Sequence, residues 1–302
     1  MPDPVLQTHD LSKSYGPDRG IMNVSLRVEA AEIFGFLGPN GAGKTTAIRV
    51  LLDLIRPTTG HAEVFGLETV ANSVEIRQRT GYLPGEMSLY ENMTGLELLQ
   101  YFASLRESVD WSLVDQMAQR LSCDLSRRIG ALSQGNKRKV GLIQAFMHRP
   151  ELLILDEPTA GLDPLIQHEF LSLISEASQS GQTVFLSSHN LTEVERICDR
   201  VGMIRGGRLI AVEHIDDLKK RAVRKLEIQF AGPVPTEPFQ NLTGIHDLMI
   251  EGDRLTCTLS GSADAIVKQA SSYEVVDLVS QQPSLEEIFM ALYSDAEVPN
   301  RA

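Results

Sequence analysis

The sequence predicts an α/β fold built on a largely parallel sheet, followed by a small α+β domain. Three observations carry this expectation. The stretches EIFGFL (32–37), LLIL (152–155) and TVFL (183–186) are short apolar runs bounded by charged or turn residues, as expected of strands covered on both faces. Helical patterns separate them. Near residue 220 the cluster KKRAVRK and the proline-rich AGPVPTEP mark a change of organisation, beyond which short alternating segments begin. The expected domains are therefore 1–219 and 220–302.

In chain order, Met22, Val24, Leu26 and Val28 alternate with other residues at the period of a half-buried strand. The run 45–55 is apolar almost all round, stops before Pro57, and predicts a helix buried against the sheet. Thr94 and Glu97 form a capping-box pattern for a helix reaching about Leu105, and Trp111, Val114, Ala118 and Leu121 recur at helical spacing. A mostly helical subdomain is thus expected at about 90–148. Within it, ALSQGNKRKV (131–140) offers Ser133 as a helix N-cap, with Lys137, Arg138 and Lys139 read as solvated side chains.

VGMIRGGRLIAV (201–212) reads as a strand and turn. In the second domain Leu226, Ile228 and Phe230 alternate, as do Leu255, Cys257 and Leu259, with a hairpin turn at EGD (251–253). A helix is expected around 263–272 and a strand around 274–280. In a last helix, Ser284 and Glu287 form a capping box, and Leu285, Ile288, Phe289 and Leu292 share a face. KKRAVRK reads as a solvated linker.

Composition narrows the function. With 302 residues, 42% of them hydrophobic, the chain can bury a sizeable core. No apolar stretch approaches the ~18 residues that span a bilayer, and MPDPVLQTHD lacks the pattern of a secretory signal, so a cytosolic location is expected. Cys123, Cys198 and Cys257 are odd in number and without ligand spacing, as reduced structural thiols would be. The 40 acidic against 28 basic residues argue against nucleic acid as a partner. A membrane would be reached through another protein.

The chemistry is concentrated in GPNGAGKT (38–45), which fits the phosphate-binding pattern GxxxxGK[ST] between a strand and a helix. Its backbone N–H groups would cradle phosphates, Lys44 would neutralise the β and γ groups, and the Thr45 hydroxyl would hold Mg²⁺. The ATP-binding candidates here are Gly38, Pro39, Asn40, Gly41, Ala42, Gly43, Lys44, Thr45 and Thr46. In ELLILDEP (151–158), Asp156 is placed to reach Mg²⁺ and Glu157 to accept a proton from the water that attacks the γ-phosphate. His189, at the end of LSSH, is a third candidate at the carboxyl end of a strand, where ligands bind in open α/β sheets. Lys44, Glu157 and His189 form the expected catalytic set.

This order of motifs resembles the nucleotide-binding subunit of an ABC transporter, a P-loop NTPase with a helical subdomain, over residues 5 to about 215. ALSQGNKRKV lies where that family has its signature, usually LSGGQ. Leu132, Ser133 and Gly135 match, whereas Gln134 and Asn136 depart. The resemblance implies that Ser133, Gln134, Gly135 and Asn136 bind the γ-phosphate held in a partner's phosphate loop. A helix terminus contributes at most ~2 kcal/mol to an anion, while even a millimolar site needs about 4 kcal/mol, so this stretch must complete a site built elsewhere.

The resemblance further implies that Tyr15 stacks on adenine and that Asp163, in AGLDP, lies at the dimer interface. Where the family usually has a glutamine contacting Mg²⁺ and water, this chain has Gly85 and then Glu86, so either Glu86 substitutes or that contact is missing. The end, PSLEEIFMALY, resembles that of bacterial exporter subunits of drug-resistance type. The expected function is an ATPase driving export through a separate permease, paired with a second copy or a homologous subunit and attached to the cytoplasmic face of the membrane. The alternative is a soluble ABC ATPase acting on ribosomes or nucleic acid. Such proteins usually carry two cassettes or a long coiled coil, and this chain shows neither.

Overall fold

A computed structural model describes residues 3–16, 19–221 and 224–281. The chain divides into two compact units, 1–215 and 216–302. The first holds two sheets. One is antiparallel in its pairings: β1 (Leu6–Ser14) pairs with β2 (Gly20–Val24) and β3 (Arg27–Val28). The other begins with β4 (Ile33–Leu37), which leads into α1 (Lys44–Leu51). Next come β5 (Thr59–Val64) and β6 (Leu67–Glu68), which join the first sheet in the order β2-β1-β5-β6. Then α2 (Ser73–Gln78) and β7 (Thr80–Leu83) lead to the helical region: α3 (Gly95–Ala103), α4 (Trp111–Arg120) and α5 (Gln134–Phe146).

The remaining elements of this unit are β8 (Leu152–Asp156), α6 (Pro164–Gln179), β9 (Thr183–Ser188), α7 (Leu191–Ile197), β10 (Arg200–Arg205) and β11 (Arg208–His214). The second sheet runs β11-β10-β4-β9-β8-β7, parallel except for the β10–β11 hairpin. Every residue of β4, β8 and β9 is buried, which explains their unbroken apolar runs. Phe34 and Phe36 of β4 lie 5.7 and 5.5 Å from Phe185 of β9, and Ile48 of α1 joins the same core, which also takes in Leu6 and Val28 of the first sheet.

Two expected elements differ. The helix over 45–55 stops at Leu51, because Asp53 turns left-handed (φ 52°) and the N–H groups of Leu54 and Ile55 fold back onto the Arg49 carbonyl. The alternation from Met22 breaks at Asn23 (φ 49°): Ile21 is buried in place of Met22, and the run becomes two short strands. By contrast the Thr94–Glu97 capping box forms, with both reciprocal bonds at 3.2 and 2.8 Å.

After α8 (Ile215–Arg221), the second unit is an antiparallel sheet, order β13-β14-β12-β15, made of β12 (Arg224–Phe230), β13 (Ile245–Glu251), β14 (Arg254–Leu259) and β15 (Val275–Gln281). With α9 (Glu237–Gln240) and α10 (Asp264–Ala270) it encloses a core of Leu226, Ile228, Phe230, Phe239, Leu255 and Ile266. The expected helix with Ser284 and Glu287 lies outside the described residues. The three cysteines are buried and unpaired, and burial pushes the thiols of Cys123 and Cys257 up to about 11.

Candidate functional site

The strand β4 ends at Leu37, and the loop 38–43 turns into α1. Gly43 caps that helix at φ 109°, and a Cβ there would stand 2.7 Å from Ile21 Cγ2, so glycine is needed for both conformation and space. The loop borders a cavity of about 350 Å³ that Tyr15, Arg19, Glu157 and the Gly206–Gly207 turn also line. Tyr15 stands at its edge, 53% exposed, with Lys13 Nζ 5.5 Å from the ring centre. Unpaired N–H groups at the start of α1 and the helix dipole favour an anion here.

Lys44 is buried. Its ammonium donates to the carbonyls of Gly38 (2.5 Å) and Pro39 (3.2 Å) and forms an ion pair with Glu157 Oε1 at 3.0 Å, without hydrogen-bond alignment. Glu157 Oε2 lies 2.7 Å from His189 Nδ1, so the three residues of the expected catalytic set meet at one carboxylate. Glu157 itself is left-handed (φ 49°), a conformation costing about 1–2 kcal/mol for an L residue. Its N–H is held by the Ser187 carbonyl (3.2 Å) and hydroxyl (3.1 Å).

Asp156 is fully buried. Thr45 Oγ1 donates to its Oδ2 at 2.7 Å and Ser187 Oγ to its Oδ1 at 2.5 Å. Hydroxyl and carboxylate oxygens so placed fit Mg²⁺, a hard cation that takes few protein ligands beside substrate phosphates. Burial, followed by the charge of Asp156, pushes the Tyr82 hydroxyl up to about 12.

The stretch ALSQGNKRKV begins α5. Ser133 is its N-cap, accepting from Asn136 N–H at 3.3 Å. Ser133 and Gln134 are exposed, and none of residues 133–136 lines the Lys44 cavity. Asp163 likewise caps α6 and is exposed. Glu86 is not brought to the phosphate loop: it is exposed and borders a separate cavity of about 320 Å³ with Gln134 and Arg138. Gly85 is the residue against Asp156, where a Cβ would stand 3.0 Å from Oδ2.

The reading of Lys137, Arg138 and Lys139 as solvated is corrected. Arg138 and Lys139 are buried, at 6% and 8% exposure, and Lys137 pairs with Glu91 at 3.3 Å. Arg138 points from α5 to the sheet. Its Nη1 donates to the Glu157 carbonyl and reaches the Asp156 carbonyl at 3.5 Å, and its Nη2 donates to the Gly85 carbonyl. Burial pushes this guanidinium down, with the charges of Asp156 and Glu157 opposing. Sequence reasoning also missed Arg19, Ser187 and Gly206–Gly207 as site residues: Ser187 lies in the LSSH strand end and Gly206–Gly207 in the expected turn, but nothing local marks either as facing the phosphate loop.

A phosphate loop on an open parallel sheet, with a carboxylate and a histidine at its mouth, defines a nucleoside triphosphatase. The ABC transporter family model matches residues 21–160. The bacitracin transport ATP-binding protein of Bacillus licheniformis is 35% identical over 95% of this chain and 97% of its own. The linearmycin resistance ATP-binding protein of Bacillus subtilis strain 168 is 29% identical over 95% and 98%. Among solved structures, the cassette MJ0796, described as a dimer in a post-hydrolysis state with ADP and Pi, superposes with a TM-score of 0.63 at 19% identity, covering 70% of this chain and 98% of that one. The chain therefore belongs to the ABC transporter family. It is an ATP-binding subunit of that family, similar to the bacitracin-transport and linearmycin-resistance proteins just named, and its reaction is ATP hydrolysis. Among the described residues no helix is long and apolar enough to cross a membrane.

Proposed function

We propose that this chain is a Mg²⁺-dependent ATPase that drives export through a separate permease, as a dimer on the cytoplasmic face of the membrane. The observation that carries the reading is the convergence of Lys44, Glu157 and His189 at the mouth of the phosphate loop. ATP phosphates lie along the loop, and the γ-phosphate competes with Glu157 for Lys44. Glu157, released from that pair, takes the proton of the attacking water, while His189 orients the carboxylate and faces the γ-phosphate. Thr45 and Asp156 would hold Mg²⁺, which when bound neutralises charge developing on the phosphates. Tyr15 stacks on the adenine.

The exposed N-terminus of α5, with Ser133, Gln134, Gly135 and Asn136, completes the site of a second copy or a homologous subunit, and Asp163 borders that contact. The dimeric state of the MJ0796 cassette supports this arrangement. Export is supported by the resistance relative named above, and a net charge of −12 argues against nucleic acid. Division into domains 1–219 and 220–302 is retained as a functional proposal, with ATP chemistry assigned to the first.

The permease contact falls on a groove of about 550 Å³ between α2 and β7 on one side and the helical region on the other. Leu54, Val74, Leu89 and Leu105 line it, with Leu54, Val74 and Leu105 each at least half exposed, and Tyr90, next in sequence to Leu89, is 55% exposed and edge-on to Tyr101 at 5.7 Å. Tyr90→Asp is expected to leave ATP binding by the full chain within about twofold and to abolish its recovery with membranes that hold the permease, since the contact would bury an unpaired charge. Recovery of the variant at the wild-type level would remove this groove from the reading. Native chain sedimenting with ribosomes or DNA, and never with membranes, would remove transport.

A further inference from the structure

We propose that Arg138 is a positioning residue of the hydrolytic step, fixing Glu157 from the signature helix and tying it to the turn after β7. This rests on the reading of Glu157 as the proton acceptor. One guanidinium joins three segments distant in sequence: α5, the end of β8, and the loop entered at Pro84. A buried arginine that served packing alone could be replaced by an apolar side chain at little loss, because its desolvation must be offset. Here the hydrogen bonds that offset it all go to backbone carbonyls, and two of those carbonyls belong to Asp156 and Glu157.

The Glu157 carbonyl is the point where such a donor has most effect. Glu157 is held at φ 49°, and its carbonyl orientation follows from the same backbone torsions that set where the side chain emerges. Ser187 fixes the N–H side of that residue and Arg138 the carbonyl side. Gly85 brings no side chain to the site, although a Cβ there would stand 3.0 Å from Asp156 Oδ2. Its carbonyl is what connects this turn to the carboxylates, through Arg138. A shift of α5 as its N-terminus engages a partner, or of the loop as the groove is filled, therefore reaches Glu157 through one side chain.

The test measures ATP turnover and ATP affinity of the full chain. Arg138→Met keeps length and apolar packing but removes the donors. Arg138→Lys keeps a charge that cannot span both carbonyls. The expected result for Arg138→Met is a kcat lower by about 30-fold with KM for ATP within about threefold, and an intermediate kcat for Arg138→Lys. Because Arg138 acts through Glu157, adding Arg138→Met to Glu157→Gln lowers single-turnover hydrolysis by less than about twofold more.

Wild-type kcat in Arg138→Met, or its full loss repeated on top of Glu157→Gln, overturns the inference while leaving the ATPase reading intact. Wild-type turnover in Glu157→Gln overturns the reading of Glu157 and this inference with it. If Arg138→Met is not obtained folded, Arg138→Lys decides: reduced kcat at an unchanged unfolding midpoint supports the role, and wild-type kcat refutes it.

Discussion

His148 follows α5 and is half-buried against β7. Its Nε2 lies 3.3 Å from the Thr80 carbonyl and its Nδ1 has no partner among the described residues. Burial, then the neighbouring Arg106 charge, pushes the imidazole down to about 4, against about 6.5 in an unfolded chain. The neutral ring is thus the form the fold accepts. Its contribution is present above pH 6.5 and is lost as pH falls toward 4, because the unfolded state takes up the proton first. Linkage puts the loss at about 2 kcal/mol between pH 7 and pH 5, growing to about 3 kcal/mol near pH 4. The substitution His148→Gln removes the titration and keeps a donor for Thr80. Trp111, the single tryptophan, sits in α4, so its emission during urea unfolding reports the helical region. The wild type is expected to lose about 2 kcal/mol more than the variant between pH 7 and pH 5. Carboxylates that also titrate cancel in the difference. Equal losses in the two proteins would refute the assignment of a neutral, half-buried His148.

Two further outcomes concern the nucleotide. Tyr15→Ala is expected to raise KM for ATP about fivefold with kcat nearly unchanged, since stacking contributes about 1 kcal/mol to ground state and transition state alike; an unchanged KM would place the adenine elsewhere. Mixing Lys44→Ala chains with Ser133→Arg chains should restore turnover that neither homodimer shows, because one of the two shared sites is then intact, and absence of recovery in proven heterodimers would argue against sharing. Gly135 is unsuitable for that experiment, because a Cβ there would stand 2.5 Å from the Gly161 carbonyl and disturb the same chain.

What the sequence disclosed follows its locality. Gly38 to Thr45 could be read because the strand, loop, lysine and hydroxyl lie within one contiguous stretch. Asp156 and Glu157 could be read because an apolar run delivers both to a strand end. The role of Arg138 could not, since its partners are carbonyls 18, 19 and 53 positions away, and carbonyls leave no trace in residue identity. In local context it is one of three adjacent cations, and only the packing of α5 on the sheet decides which are buried. Glu86 shows a related limit: of the two alternatives left open for it, adjacency in sequence to the expected glutamine position could not say whether its side chain reaches Asp156, and in this structure it is exposed while Gly85 is the residue against that carboxylate. The break at Asn23 and the early end of α1 at Asp53 are single left-handed residues, which a period of apolar side chains does not register.

The most direct test of the ATPase account is hydrolysis by the full chain carrying Glu157→Gln, followed together with its mass in the presence of ATP and Mg²⁺. The account predicts turnover lower by at least about 100-fold, normal ATP binding, and accumulation of a particle of twice the 33.3 kDa chain mass as the unhydrolysed nucleotide holds two copies together. Wild-type turnover in this variant, with no ATP-dependent dimer, would contradict it.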